Sequence, residues 1–206
     1  SRCYVLQEVL DRANAPMPLT GAVSYVDADG TTRQSPEDCT VLTAEMAGTE
    51  LSGGWYVAQG DVNVGSNLCT FTEDAYLILS DGCNLTGTIY AKGNLTIYAQ
   101  SGGSGSLTAT KDEGNIALNS DKTITINGGS VTVKNTSDTA GTITATIQNT
   151  GTLAHNGGTF TIEKNAYGST FEGSGRYCTS ILPENTALPA GTLADNGTNQ
   201  SEAVKA

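Results

Sequence analysis

Carboxylates in the first half of the chain are the residues whose types could support catalysis. Glycoside hydrolysis needs two carboxylates placed across the scissile bond. The candidates at comparable positions are Asp61, Glu73, Asp74 and Asp81. They form no dense acidic motif, and each is explained more simply as a solvated turn residue. The other reaction considered, β-elimination from a uronic acid, needs a basic residue beside a calcium-binding acidic cluster. The lysines lie apart from any such cluster, at Lys92, Lys111, Lys122 and Lys134.

The single histidine and one glycine-rich string complete the catalytic candidates. His155 precedes the Asn156-Gly157-Gly158 tripeptide, and no serine or cysteine motif accompanies it as a nucleophile. The string at 103–106, GSGS, lacks the strand-to-helix context of a nucleophile elbow. We therefore predict that the chain is not an enzyme, and keep a polysaccharide lyase or hydrolase as the last alternative.

Aromatic residues are the candidates for ligand binding. Exposed rings on a flat wall of strands can stack on sugar rings, whereas buried rings would fill or cap the core. Sequence alternation does not decide which rings face outward, so both interpretations stay open. The candidate binding residues are Trp55, Tyr76, Tyr90 and Tyr98.

Metal and thiol chemistry have little support in the sequence. Asp27-x-Asp29-Gly30 resembles the start of a calcium loop, but the distal glutamate and other ligands of such a loop are missing. We predict no cofactor, with calcium as the alternative. Cysteines occur without a CxxC motif, and their odd number allows at most two disulfides. The pairing is left open, as is a purely structural, buried role, which we assign to Cys69 and Cys83; the others are Cys3, Cys39 and Cys178.

The overall composition excludes two classes of partner. The 206 residues contain 10 Lys and Arg against 21 Asp and Glu, which gives a formal charge of −11. Such a chain does not suit nucleic acid or an anionic membrane surface. It has no apolar run of about 18 residues, so no membrane insertion is predicted. Its 25 glycines and many threonines are typical of a turn-rich β protein.

An internal repeat indicates how the elements are arranged. The stretches 123–133 (TITINGGSVTV) and 152–162 (TLAHNGGTFTI) lie 29 residues apart, and Ile97 precedes Ile126 by the same interval. A fixed period of this length is typical of a solenoid. We expect Ile97 to lie beside Ile126 and Val133 beside Ile162. A β-sandwich, or two unrelated hairpin turns, is the alternative.

The NGG tripeptides are predicted to be structural corners. Asparagine tolerates a left-handed backbone and can bond to its neighbours through its amide, and glycine adopts a positive φ without strain. Asn127 and Asn156 would then form an amide pair between successive layers. The structural residues predicted here are Asn127, Gly128, Asn156 and Gly157.

The repeat and its flanks give a predicted domain organisation. Residues 3–14 have the apolar spacing of a short amphipathic helix, and 20–33 have the pattern of a hairpin with a turn at Asp29-Gly30. We predict an all-β fold: a right-handed parallel β-helix over 40–180, capped by this helix and hairpin within 1–39. Residues 181–206 would form a C-terminal extension or linker.

Several runs also resemble a known class of protein. They include 24–31 (SYVDADGT), 54–57 (GWYV), 77–86 (LILSDGCNLT) and 95–109 (LTIYAQSGGSGSLTA). This part of the chain, about 23–133, resembles gut-bacterial extracellular parallel β-helix proteins of the carbohydrate-binding-like or adhesin-like type. The resemblance implies a right-handed parallel β-helix at the bacterial cell surface or outside the cell.

The function predicted from these observations is non-catalytic. The main prediction is a cell-surface or secreted module for adhesion or glycan binding, with a glycan or another host or cell-surface ligand as partner. The alternative is a structural stalk or display segment of a larger surface protein. The sequence does not predict an oligomeric state.

Overall fold

The computed structural model describes 20–111, 117–135, 147–149, 153–163, 171–172, 186–188, 191–194 and 204–205. The strands are β1 (Ser24–Val26), β2 (Thr32–Gln34), β3 (Thr40–Val41), β4 (Glu50–Leu51), β5 (Gly54–Ala58), β6 (Asp61–Phe71), β7 (Ala75–Leu79), β8 (Asn84–Ala91), β9 (Leu95–Ala99), β10 (Ser106–Lys111), β11 (Leu118–Ser120), β12 (Ile124–Ile126), β13 (Ser130–Asn135), β14 (Ile147–Asn149), β15 (Leu153–His155), β16 (Thr159–Glu163), β17 (Phe171–Glu172), β18 (Thr186–Leu188), β19 (Gly191–Ala194) and β20 (Val204–Lys205).

The all-β class predicted from the sequence is confirmed. Among the described residues the one helical element is a single 3₁₀ turn, Ala44–Met46. The helix predicted for residues 3–14 lies outside the described residues. The division into 1–39, 40–180 and 181–206 stays a prediction.

The predicted hairpin is confirmed as a separate two-stranded sheet. Strands β1 and β2 pair antiparallel, with Tyr25 opposite Arg33. Its turn contains Gly30 at φ 81°, in the left-handed region that glycine adopts without a Cβ clash. Asp29 accepts a hydrogen bond from the Thr31 N–H at 2.9 Å, which closes the turn locally. Short polar side chains that bond to the nearby backbone are a common reason for a turn to form.

Most other strands belong to two large sheets. The order in the first is β20-β19-β15-β12-β9-β7-β5-β3. In the second it is β17-β14-β11-β8-β10-β13-β16-β18, and β6 pairs with both β4 and β8. Strand β8 holds the second sheet together, because its first half pairs with β10 and its second half with β11.

The 29-residue spacing correctly predicts register inside these sheets. Strand β12 lies between β9 and β15, in parallel with both, so Ile126 is opposite Ile97 on one side and His155 on the other. Val133 of β13 is opposite Ile162 of β16. Equivalent residues therefore lie side by side, as the repeat predicts.

The right-handed parallel β-helix predicted from that spacing requires correction. The strands are grouped in separate sheets, and in the described part of the chain no solenoid is found. Both large sheets also contain antiparallel pairs: β18 on β16, β19 on β15 and β20 on β19. A repeat spacing specifies which residues are neighbours in parallel strands. It does not specify how the sheets are joined or how they end.

One apolar cluster is built from the buried side chains of both large sheets. It includes Leu77, Ile97 and Ile126 from the first sheet and Leu85 and Leu107 from the second, all at most 1% exposed. Each fully buried aliphatic side chain of this size contributes about 1.5–3 kcal/mol relative to an exposed one. This cluster fixes which face of each strand points inward and so which residues reach the surface.

Candidate functional site

Three of the four predicted binding aromatics gather on the outer face of the first sheet. Trp55 of β5, Tyr76 of β7 and Tyr98 of β9 pack with Tyr25 of the hairpin. The Trp55 ring lies 4.8 Å from Tyr76 and 5.6 Å from Tyr98, stacked on both, and 5.1 Å from Tyr25. Tyr25 and Tyr98 are 4.4 Å apart. The cluster therefore fastens the hairpin to the sheet.

Burial differs among the members of this aromatic cluster. Tyr98 is 8% exposed, whereas Trp55 and Tyr76 are half-buried. Burial, followed by the nearby charge of Asp27, raises the pKa of Tyr98 to about 12. Because three other rings surround Trp55, its packing role is clear in the structure. A ligand-binding role for these residues stays a prediction.

The fourth aromatic, Tyr90, lies elsewhere. It is on β8 in the second sheet, and its hydroxyl donates to Asp121 Oδ2 at 2.7 Å. This hydrogen bond, with burial and the charge of Asp121, raises the pKa of Tyr90 to about 12. The four predicted residues therefore do not form one site.

The two NGG corners are stacked as the sequence predicts. Asn156 Nδ2 donates to Asn127 Oδ1 at 2.8 Å. The next layer lies so close that a Cβ placed on Gly157 would be 2.5 Å from the Asn127 carbonyl oxygen. At Gly158, which has a φ of 72°, an added Cβ would likewise overlap the Gly129 carbonyl oxygen. Glycine is required here by both backbone conformation and close approach.

A cavity of about 280 Å³ lies between these corners and the turn of the hairpin. On the corner side it is lined by Asn127, Asn156 and their glycines, and on the hairpin side by Val26 and Asp27. Gln100, which also lines it, donates from Nε2 to the Ser24 hydroxyl at 3.4 Å. The lining offers neutral amides and backbone groups, and its one carboxylate, that of Asp27, is engaged by Arg33 at 2.7 Å.

Three of the four carboxylates considered for catalysis accept hydrogen bonds from neighbouring residues. Asp74 Oδ1 accepts the Asn94 N–H at 2.8 Å, and this hydrogen bond lowers the pKa of Asp74 below its ordinary value. Asp81 accepts from the Gly102 N–H at 3.1 Å. Asp61 accepts from Asn84 Nδ2 at 2.8 Å. Asp74 and Asp81 therefore fit the simpler interpretation as turn residues, whereas Asp61 is the first residue of strand β6 and lies opposite Asn84 of β8.

The described cysteines are buried free thiols. Cys39, Cys69 and Cys83 are unpaired with one another and 0% exposed. Burial raises the pKa of the Cys69 thiol to about 12, so it is protonated at neutral pH. Cys69 and Cys83 belong to the apolar cluster. The remaining two cysteines, Cys3 and Cys178, lie outside the described residues.

His155 lies in the interior, where sequence reasoning did not place it. It is 0% exposed and its Nε2 is 3.0 Å from the Gly158 carbonyl oxygen. No described residue forms a hydrogen bond with its Nδ1. The signal that could have located it is the repeat itself, because His155 occupies the position of the buried Ile126 and Ile97.

The calcium alternative has not been tested. Asp27 and Asp29 both contact Arg33, at 2.7 Å and 3.1 Å. In the described ranges no group of three or more His, Cys, Asp or Glu side chains is arranged to hold a metal ion. The prediction of no cofactor, with calcium as the alternative, therefore stays an expectation from the sequence alone.

The feature that sequence reasoning missed is a free strand edge at one end of the first sheet. Leu42 N–H donates to the Val57 carbonyl of β5 at 2.9 Å. Because successive backbone groups of a strand point to opposite sides, the N–H and C=O of Val41 point away from β5. Val41 is half-buried, and within the described residues no backbone partner is found on that side. Beyond β15, at the other end of this sheet, the antiparallel strands β19 and β20 follow.

Comparison with known proteins identifies a family. The model of the pilin family, described as a bacterial filament, matches residues 81–193. No curated protein and no solved structure matches the chain. The resemblance to gut-bacterial parallel β-helix proteins of the carbohydrate-binding-like or adhesin-like type was therefore wrong, and a glycan ligand is unsupported. Runs such as 77–86 and 95–109 are short glycine- and threonine-rich strand segments, and their composition does not distinguish one family of β proteins from another.

The match also answers questions that the sequence left open. A filament family is structural and non-enzymatic, and implies assembly with further copies. The predicted location, extracellular or on the bacterial surface, is confirmed. No helix in the described part of the chain is long and apolar enough to span a membrane. The pilin match covers more than half of the 206 residues, and the chain therefore belongs to the pilin family of bacterial filament proteins.

Proposed function

We propose that this chain is a structural subunit of a bacterial surface filament and that copies join through the free edge of β3. This proposal is closer to the stalk or display alternative than to the adhesion module predicted first. The observation that carries it is the outward-facing backbone of Val41 at one end of an eight-stranded sheet.

An unpaired strand edge is a template for another strand. It presents N–H and C=O groups that a second chain can bond without rearranging the first. The neighbouring Cys39 is already paired, since it accepts from Thr20 N–H at 3.1 Å and donates to the Gly21 carbonyl at 3.0 Å. Within the described residues, the unpaired part of this edge therefore begins at Val41.

The opposite end of the same sheet supplies the complementary edge. Strand β20 is last in the sheet order and has β19 as its described neighbour. Joining β3 of one copy to β20 of the next would continue the sheet from subunit to subunit. A repeated contact between two different surfaces forms an open filament when the rotation between successive copies does not close a ring.

A proline at the free edge tests this proposal. Val41→Pro removes the outward N–H and leaves the Leu42–Val57 hydrogen bond to β5 in place. Val41→Ala is the control at the same position, because it shortens the side chain but keeps the N–H. We expect the wild type and Val41→Ala to form filaments in sedimentation and electron microscopy, and Val41→Pro to remain monomeric.

Melting temperature and circular dichroism establish that each variant is folded. Assembly of folded Val41→Pro to the same extent as the wild type would overturn the proposed edge. A wild-type chain that stays monomeric at every concentration would overturn self-assembly itself.

A further inference from the structure

The two Asn-Gly corners have the same local sequence and very different surroundings. Asn127 is 7% exposed, whereas Asn156 is exposed at the outer layer. We propose that Asn156 is a self-modification site: it converts spontaneously to aspartate or isoaspartate, while Asn127 is protected by the layer above it. This inference is independent of the filament role proposed above.

The reaction needs only the chain and water. The backbone nitrogen of Gly157 loses its proton to solvent base and attacks Cγ of Asn156, forming a C–N bond. The Cγ–Nδ2 bond breaks, and the side-chain nitrogen takes a proton from solvent and leaves as ammonia, which gives a five-membered cyclic imide. Water then adds to one of the two imide carbonyls and opens the ring. The products are aspartate and isoaspartate, and no atom is oxidised or reduced.

The geometry at Asn156 leaves both reacting groups accessible. The Gly157 N–H is 3.4 Å from the Ile126 carbonyl oxygen, which already accepts the Asn156 N–H at 2.8 Å. The attacking nitrogen is therefore weakly held, and glycine brings no side chain to obstruct it. Among the described residues, the Asn156 amide is restrained by one neutral hydrogen bond, to Asn127 Oδ1. A single bond of this type at an exposed position is a weak restraint.

Asn127 has the same neighbours in sequence but is enclosed. Gly128 packs on Ala99 so closely that an added Cβ would be 3.1 Å from Ala99 Cβ. On its other side, Gly157 lies against the Asn127 carbonyl. The attack at Asn127 would require the corner at 156–158 to separate first. Local opening of a packed layer costs free energy that the exposed corner does not need.

Conversion at Asn156 would change the corner that contains it. An aspartate has no N–H to donate to Asn127 Oδ1, so the hydrogen bond that now measures 2.8 Å is lost unless the Asn127 amide rotates and donates in its place. An isoaspartate would also add one atom to the backbone between β15 and β16. We expect the corner at 156–158 to become less stable as the protein ages.

The test compares the two sites in the folded and unfolded chain. Wild-type protein is incubated in mildly alkaline buffer, with and without urea, and the peptides that contain Asn127 and Asn156 are each followed by tandem mass spectrometry, apart from the third Asn-Gly pair of the sequence at 196–197. In urea both sites should convert at similar rates, because both are Asn-Gly. In the folded chain we expect Asn156 to convert about tenfold faster than Asn127, equivalent to about 1.4 kcal/mol. Asn156→Ser, which cannot form the imide, must lose the signal assigned to that site.

Two results would overturn the proposal. One is equal conversion of Asn127 and Asn156 in the folded chain. The other is a folded chain in which Asn156 stays unchanged while the same residue reacts in urea.

Discussion

The two ends of the first sheet are built differently. At the β15 end the chain is tightly layered: the corner at 156–158 lies against the corner at 127–129, and antiparallel strands follow. At the β3 end the strand has two residues, and within the described residues Val41 has no backbone partner on its outer side. We infer that stability depends mainly on the layers, whereas the contact between copies uses the short β3 edge of one copy and the β20 edge of the next. Substitutions at the two ends should therefore affect different properties.

The largest expected effect is at the layered end. Gly158→Ala would place a Cβ against the Gly129 carbonyl in a residue at φ 72°. We expect the free energy of unfolding to fall by about 4 kcal/mol, because backbone strain and overlap with the neighbouring layer add together. Urea denaturation measures the change.

The matched control for that substitution is in the hairpin. Gly30 has a similar φ of 81°, but a Cβ there would meet nothing within 4 Å. Gly30→Ala should therefore cost only the backbone term, about 1–2 kcal/mol. Equal losses in the two variants would contradict the claim that close layering is what makes the corner rigid.

A smaller effect of opposite sign is expected at His155. His155→Ile removes a buried nitrogen, Nδ1, that has no hydrogen-bond partner among the described residues, and it continues the apolar positions of Ile97 and Ile126. It also loses the contact between Nε2 and the Gly158 carbonyl. Because an unsatisfied buried polar group costs about 1–3 kcal/mol, we expect a net gain of about 1 kcal/mol in the free energy of unfolding. A clear loss of stability in thermal and urea unfolding would show that a group outside the described residues binds His155 Nδ1.

The smallest expected effect is on the pH dependence of stability, through Asp74, a turn carboxylate that lies away from both ends of the sheet. The Asn94 N–H lowers the pKa of Asp74, so the folded chain binds a proton at this site less readily than the unfolded chain. The stabilisation is present above the ordinary pKa of an aspartate and is lost as the pH falls through the lowered value. Asp74→Asn should reduce the loss of stability between neutral pH and about pH 3. Identical pH profiles of urea unfolding in the two proteins would contradict this assignment.

The sequence predicted the local register well. The spacing of Ile97, Ile126 and the two NGG corners determined which residues lie side by side, and the amide pair between Asn127 and Asn156 followed from residue type. The turn at Asp29-Gly30 was equally predictable. These features depend on residues that are close in sequence or that repeat at a fixed interval.

Other features depend on tertiary contacts that no local pattern encodes. The antiparallel strands at the end of each large sheet have no equivalent in the repeat, and so the sequence led to a solenoid. Trp55 and Tyr98 are grouped with Tyr25 because the hairpin folds across the outer face of β5 and β9. Tyr90 lies on the other large sheet, where its hydroxyl donates to Asp121. The binding prediction considered each ring alone, whereas the structure separates one from the other three.

Mixing Val41 variants with wild type tests whether one copy joins the next through the free edge of β3. Val41→Pro keeps the β20 edge but blocks the β3 edge, so it should add to a growing filament and stop it. We predict that a small proportion of Val41→Pro shortens wild-type filaments, measured by electron microscopy, and that Val41→Ala has no effect. An unchanged length distribution with equal amounts of Val41→Pro and wild type would contradict the account.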